Sequence, residues 1–140
     1  MKQYDVFFNG YRRDEFCNGL PEYSGIYMIY RCNYNEKSQT VKLIELFYIG
    51  QSKNINQEVC HHARRDEFLS QAKKNETICY SYAHVNNKDL DIVENALIFM
   101  QKPRLNENLK ENYNHEDARF LIEGKNGLLR YTDFSITNKD

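Results

Sequence analysis

The pattern of hydrophobic and polar positions predicts three β-strands, two from runs rich in apolar, strand-favouring residues and one from alternation. The first stretch covers residues 25–32, and the same character resumes over residues 41–49 after a polar loop. The two stretches together predict a β-hairpin. A third strand is expected over residues 78–85, where Tyr80 and Tyr82 occupy alternate positions.

Two other stretches show helical spacing of their apolar residues. The first helix is expected within residues 54–74, and the second over residues 90–101, before Pro103. The second helix is apolar around most of its circumference, which indicates burial. Glu94 falls at the margin of that apolar surface, where a carboxylate needs a partner.

The order strand, strand, helix, strand, helix predicts an α+β fold with a small, mostly antiparallel, three-stranded central sheet flanked by helices. Residues 25–106 form this expected core. Residues 1–24 are expected to form an irregular N-terminal extension, in which residues 4–8 alternate toward a short strand and Asn9-Gly10 signals a turn. Residues 107–140 are expected to form a polar loop and a C-terminal β-hairpin, with strands over residues 120–123 and 128–131 and a turn at residues 124–127. The length of 140 residues is typical of a single domain spanning residues 1–140.

Composition limits the kinds of molecule that the protein is expected to bind. With 19 basic and 20 acidic residues, the net charge of -1 gives no general attraction to polyanions, so any nucleic-acid contact must come from local basic patches. The four cysteines are widely separated, and no apolar run approaches the length of a membrane span. We therefore expect a soluble cytoplasmic protein with reduced thiols and no membrane contact, and the oligomeric state stays open.

Two tripeptides carry the strongest functional indication. Gly25-Ile26-Tyr27 lies on the first predicted strand and Tyr48-Ile49-Gly50 on the second, with Glu94 and Asn106 following in order. In these features residues 25–106 resemble the GIY-YIG nuclease family, found in excision repair, homing endonucleases and some restriction enzymes. The resemblance implies a divalent-metal-dependent endonuclease that hydrolyses DNA phosphodiester bonds.

The resemblance also implies a role for each residue of the set. Tyr27 would help to activate a water molecule, Tyr48 would orient the same site, and His62 falls where the family's first helix often has a histidine. Glu94 would bind a single Mg²⁺ or Mn²⁺, with no small-molecule cofactor. Asn106 would hold the loop or a phosphate oxygen. Tyrosine is a poor base at its reference pKa of about 10, so metal-bound water or a nearby cation is required.

Position 58 departs from the family pattern, because Glu58 stands where an arginine is expected. A carboxylate repels phosphate, whereas arginine binds it. Arg65 or His61, on the same face of one continuous helix, would substitute for the arginine. Alternatively, Glu58 joins Glu94 as a metal ligand, or the domain has lost catalysis and binds nucleic acid or protein. Glu58 and His62 are also spaced i, i+4, which predicts a charged imidazole.

Local basic residues are the candidates for DNA contact. The phosphate-binding candidates are Lys53, Arg64, Arg65 and Arg104, and the further basic pairs are Arg12-Arg13 and Lys73-Lys74. Arg64-Arg65 is favoured because it adjoins the predicted site. The flanks lack a DNA-reading motif, so repair, restriction and mobile-element roles stay open, as does an unrelated interaction module.

Overall fold

A computed structural model describes residues 1–138 of the protein. Six strands form one sheet in the order β3-β2-β4-β1-β5-β6. Strands β1 and β5 pair in parallel, and the other neighbours pair antiparallel. The strands are β1 (Lys2–Arg13), β2 (Gly25–Asn35), β3 (Thr40–Ser52), β4 (Thr77–His84), β5 (Ala118–Gly124) and β6 (Asp133–Ile136).

The predicted three-stranded sheet is wrong, because the sheet is six-stranded, mixed and curled into a half-barrel. The three predicted strands correspond to β2, β3 and β4, which are neighbours, but β1, β5 and β6 extend the sheet beyond β4. The parallel pairing of β1 with β5 joins Lys2 to Ala118, at opposite ends of the chain. Local alternation carries no information on such a long-range pairing.

The N-terminal segment is a long strand rather than an irregular extension. Strand β1 has 12 residues, and a 3-10 helix, Asp14–Gly19, follows it. The Asn9-Gly10 pair, which favours a turn, instead lies inside β1, where the pairing with β4 shifts register. Gly10 has a φ of +151°, and glycine adopts this conformation without steric cost. The strand therefore continues through the sequence that suggested its end.

The C-terminal hairpin has a different second strand from the predicted one. Strand β6 pairs with β5 through Phe134 opposite Phe120, whereas residues 128–131 were expected to form that strand. Gln101 explains the difference, because its side chain accepts from the Arg130 N–H at 2.6 Å and donates to the Tyr131 carbonyl at 2.7 Å. These bonds occupy backbone groups that a strand would pair.

The helices are short except for the last. They are α1 (Ile55–Cys60), α2 (Arg65–Leu69) and α3 (Leu90–Gln101), with a 3-10 turn (Asn87–Asp89) before α3. A single helix within residues 54–74 is therefore wrong. The break follows α1, where His62 Nδ1 accepts a hydrogen bond from the Arg64 N–H at 2.9 Å. No helix within residues 1–138 is long and apolar enough to cross a membrane.

The sheet has an apolar cluster on each face. Helix α3 contributes to the cluster that includes Ile26, Met28 and Tyr30. Helices α1 and α2 contribute to the other cluster, which includes Tyr27, Ile29 and Phe47. Because β2 is buried on both faces, consecutive residues of Gly25-Ile26-Tyr27 pack against different helices.

Candidate active site

The glycines of the two tripeptides permit close packing within the sheet. A Cβ atom at Gly25 would overlap the carbonyl of Ala83 on β4. A Cβ atom at Gly50 would overlap the Cζ and hydroxyl oxygen of Tyr27, which lies directly opposite on β2. The missing side chain at residue 50 therefore lets the phenol of Tyr27 extend across β3.

The two tyrosines of the tripeptides share one face of the sheet. Tyr48 lies opposite Ile29, two residues beyond Tyr27, and the ring centroids of Tyr27 and Tyr48 are 6.4 Å apart with an interplanar angle of 29°. Tyr27 is buried and Tyr48 is partly buried. Within residues 1–138, the hydroxyl of Tyr27 has no hydrogen-bond partner. Tyr27 is 2% exposed, so only a small part of the residue reaches the surface.

Burial and neighbouring acids keep both phenols protonated. Burial raises the pKa of Tyr27 well above its usual range, with further increases from Tyr48, Glu58 and Glu94. Burial also raises the pKa of Tyr48, although the nearby Arg64 opposes the change. Both residues are therefore neutral hydrogen-bonding groups near pH 7.

Glu94 lies beside the tyrosines, as the resemblance implies. It is half-buried on α3, and its charge raises the pKa of both Tyr27 and Tyr48. Gln51, next to Gly50, donates from Nε2 to Glu94 Oε1 at 2.9 Å and to Asp91 Oδ1 at 2.7 Å. Gln51 therefore fixes the Glu94 carboxylate and joins it to a second acid.

The residues around Glu94 fit a single hydrated divalent cation. Burial raises the pKa of Glu94, and the charge of Asp91 raises it further. A cation would relieve both effects, because it stabilises the ionised form of each carboxylate. Within residues 1–138, no cluster of three or more His, Cys, Asp and Glu forms an all-protein metal cage. Mg²⁺ binds through one or two carboxylates and retains several waters.

Glu58 acts electrostatically on the two tyrosines. Its charge raises the pKa of Tyr27 and Tyr48, whereas the acid that raises the pKa of Glu94 is Asp91. The second acid beside Glu94 is therefore Asp91 rather than Glu58.

His62 is neutral, contrary to the expectation from its spacing with Glu58. Its Nε2 is 3.9 Å from a carboxylate oxygen of Glu58, and its Nδ1 accepts the N–H of Arg64. Burial lowers the pKa of His62; Glu58 opposes this effect and the Arg64 charge adds to it. The ring packs edge-on against Tyr48, with centroids 5.8 Å apart. His62 therefore supports Tyr48 and the break after α1.

Arg64 is the arginine that lies against the tyrosines. Its guanidinium carbon is 5.3 Å from the ring centroids of both Tyr48 and Phe68. Its Nε and Nη2 donate to Glu67 at 2.8 and 3.2 Å, and Nη2 also donates to the Leu105 carbonyl at 3.1 Å. These bonds do not use Nη1, and a hydrogen bond from Arg64 also acts to lower the pKa of Tyr48.

Arg65 is directed away from this group. Its Nη2 donates to both carboxylate oxygens of Asp14, at 3.0 and 2.9 Å, and the hydroxyl of Tyr80 donates to the same carboxylate at 2.6 Å. The proposal that Arg65 or His61 shares a helix face with residue 58 is wrong, because α1 ends at Cys60. His61 is exposed. Arg65 therefore ties α2 to the first 3-10 helix.

Asn106 has a positioning role. Its side chain accepts from the Ile49 N–H at 3.0 Å and donates to the Ile49 carbonyl at 2.8 Å. The neighbouring Leu105 N–H donates to the Phe47 carbonyl at 2.9 Å. Residues 105–106 thus continue the hydrogen bonding at the edge of β3. Of its two predicted roles, Asn106 fills that of holding the loop, and both ends of its amide are occupied.

The remaining basic candidates lie at the edges of the site. Arg104 pairs with Glu45 at 2.9 Å and donates to Gln71 at 2.8 Å. Lys53 is exposed, directly after β3. The structure therefore assembles Tyr27, Tyr48, His62, Arg64 and Glu94, and leaves Arg65 and Arg104 engaged elsewhere.

Two members of the site were missed from the sequence. Gln51 directly follows the second tripeptide, and Asp91 precedes Glu94 by three residues, which places both acids on one side of α3. That i, i+3 spacing was the available signal for Asp91. The Gln51 bridge was not predictable, because it joins β3 to α3 across 43 residues of sequence.

Comparison with family models, with curated proteins and with solved structures finds no match to this chain. The arrangement of Tyr27, Tyr48, Arg64 and Glu94 is therefore the evidence on function.

Proposed function

We propose that the protein is a divalent-metal-dependent endonuclease that hydrolyses DNA phosphodiester bonds at a GIY-YIG type site. The supporting observation is that two neutral tyrosines and one arginine lie together on one face of the sheet, with the half-buried Glu94 carboxylate of α3 held near them by Gln51 of the edge strand β3. Phosphodiester hydrolysis needs an oriented water, a neutralised phosphate and an aligned scissile bond. Each group of the set suits one of these tasks.

Glu94 would hold Mg²⁺ or Mn²⁺, with Gln51 fixing the orientation of its carboxylate. When bound, such a cation lowers the pKa of a coordinated water and offsets phosphate charge. Tyr27 would accept a hydrogen bond from the attacking water and direct it toward phosphorus. Its raised pKa favours this orienting role over removal of a proton by a phenolate.

Arg64 would supply the positive charge that position 58 lacks. Its guanidinium lies against Tyr48, and a phosphate oxygen would accept the hydrogen bond that Arg64 directs at that phenol. The contacts with Glu67 and Leu105 limit the motion of the side chain. Arg64 is thereby prepared to receive a phosphate with little loss of conformational freedom.

A second candidate function is nucleic-acid or protein binding without catalysis. Glu58 favours it, because a carboxylate close to Tyr27 and Tyr48 repels a phosphate. Carboxylates also pair with the other candidate arginines, Arg65 and Arg104, which reduces the attraction for DNA. Within this second function, these charges therefore favour a protein partner over a nucleic acid.

Nicking of supercoiled plasmid in Mg²⁺, in Mn²⁺ and in EDTA separates the two functions. The proposal predicts nicking that requires the metal and that falls about 100-fold or more in Tyr27→Phe. Tyr131→Phe is the matched control, because Tyr131 is exposed and lies outside the site. An inert wild type combined with an active Glu58→Arg variant would reject the enzyme. Salt-dependent DNA binding by an inert protein would favour the binding module.

A further inference from the structure

A second concave surface lies beside the bulged end of β1. The cavity has a volume of about 600 Å³, within the range typical of small-molecule sites. None of its lining residues carries a carboxylate. The lining side chains that matter here are Arg12, Arg13, Phe16, Tyr34, Tyr82 and Lys125.

The positive charge of this cavity is largely uncompensated. Within residues 1–138, neither Arg12 nor Lys125 forms an ion pair, and the Nε of Arg12 is buried without a hydrogen-bond partner. Arg13 pairs at 2.6 Å with Glu15, an exposed residue outside the lining, and such surface pairs are weak. In contrast, Arg64 of the candidate active site is paired with a carboxylate. The cavity is therefore the better site for an anion.

Aromatic rings lie beside these cations. The guanidinium carbon of Arg13 is 3.6 Å from the ring centroid of Tyr34 and 5.0 Å from that of Phe16. Phe16 is 50% exposed, although large apolar side chains are usually buried. Stacked arginine and exposed aromatic rings are the groups on which nucleobases stack.

One residue of the cavity lining pairs with a residue of the candidate active site. Tyr82 contributes to the lining and lies directly opposite Tyr27 on the neighbouring strand. Opposed residues of an antiparallel pair project from the same face of the sheet. Tyr27 and Tyr82 are therefore neighbours on one face, whereas the lining residues Tyr11 and Val41 pack against the apolar cluster of the other face.

We infer that this cavity binds a nucleotide unit. Arg12 and Lys125 bind its phosphate, and Phe16 with the Arg13–Tyr34 stack receives its base. The unit is either a free mononucleotide or one nucleotide of a single strand, since both present the same phosphate and base. The inference goes beyond the proposed nuclease activity, because binding in the cavity needs neither metal nor cleavage.

Isothermal titration calorimetry at low salt with EDTA tests this inference on the full chain. The probes are thymidine 5′-monophosphate, thymidine, inorganic phosphate and a single-stranded oligothymidylate. The monophosphate should bind more tightly than thymidine or phosphate alone. Equal affinity for monophosphate and oligonucleotide identifies the free nucleotide as ligand, and about tenfold tighter oligonucleotide binding identifies the strand. If neither the monophosphate nor the oligonucleotide binds, the inference is overturned.

Variants at exposed positions locate the binding without endangering the fold. Lys125→Ala and Phe16→Ala should each weaken binding of the monophosphate about tenfold, because one removes a phosphate contact and the other a stacking ring. Lys88→Ala and Leu128→Ala, both at exposed residues, should leave it unchanged. Wild-type affinity in Lys125→Ala and Phe16→Ala overturns the inference, as does loss of binding in Arg64→Ala alone. If the protein does not nick plasmid but still binds the nucleotide, the nuclease proposal is rejected and the nucleotide-binding inference stands.

Discussion

The phenol of Tyr27 occupies the space that a side chain at Gly50 would fill. The two residues lie opposite each other on β2 and β3, and a Cβ at residue 50 would overlap both the Cζ and the hydroxyl oxygen of Tyr27. The hydroxyl is therefore placed by packing, since no hydrogen bond within residues 1–138 holds it. This relationship gives a physical reason for a glycine at that position.

Gly50→Ala should displace the Tyr27 ring and lower the free energy of unfolding by about 1–3 kcal/mol, the usual effect of overpacking a core. Urea denaturation measures this change. Gly19→Ala is the matched control, because the atoms nearest to its new Cβ all belong to the end of the flexible Arg12 side chain. Wild-type stability in Gly50→Ala would show that the ring has room to move.

Asn106→Ala should destabilise the protein by about 2–4 kcal/mol, because it removes two hydrogen bonds and leaves the buried backbone groups of Ile49 without partners. Thermal or urea denaturation checks the value. Asn108→Ala changes an exposed asparagine two residues away and should be close to neutral. Equal stability of the two variants would exclude the positioning role of Asn106.

Glu94→Gln should be more stable than the wild type at pH 7 in the absence of metal. Burial raises the pKa of Glu94 in the folded state above its ordinary 4.5, so the folded protein binds the proton more tightly than the unfolded chain. As the pH falls from the folded-state pKa toward 4.5, the wild type should gain stability relative to Glu94→Gln. Urea denaturation at several pH values measures the difference, and parallel pH profiles would refute the burial argument.

His62 should give the opposite pH dependence. Its pKa is lowered in the folded state, so the unfolded chain takes up the proton first as the pH falls below 6.5. Protonation at Nδ1 would also break the hydrogen bond from the Arg64 N–H. The wild type should therefore lose stability relative to His62→Gln as the pH falls from 6.5 through the folded-state pKa. A His62 imidazole that titrates above 6.5 by NMR would contradict this.

The sequence contains much of the information for the central strands and for α3. The strand-favouring runs over residues 25–32 and 41–49 and the alternation over residues 78–85 correspond to β2, β3 and β4, and the expected helix over residues 90–101 is α3. The size of the sheet was not predictable in this way, because β1 joins β5 through parallel pairing between distant segments. Strand pairing overrode the turn preference of Asn9-Gly10 in β1. A side-chain contact from Gln101 prevented residues 128–131 from forming the expected strand.

In the candidate site, too, some residues were predictable from the sequence and others depended on the folded backbone. Tyr27, Tyr48 and Glu94 came from the tripeptides and the helix pattern, and the structure brings them together. The choice between Arg64 and Arg65 depended on the backbone after Cys60, where His62 accepts the Arg64 N–H and ends the helical geometry. Helical periodicity assumes a continuous helix, so it favoured Arg65, which the structure pairs with Asp14.

The most direct test of the nuclease proposal is the single-turnover cleavage rate of an end-labelled DNA duplex in Mg²⁺, measured for the wild type and Glu94→Gln. Glu123→Gln, at an exposed glutamate outside the site, is the matched control. We predict metal-dependent cleavage by the wild type and by Glu123→Gln, and a rate at least about 100-fold lower in Glu94→Gln. Equal rates in the wild type and Glu94→Gln, or no cleavage by the wild type, would contradict the proposal.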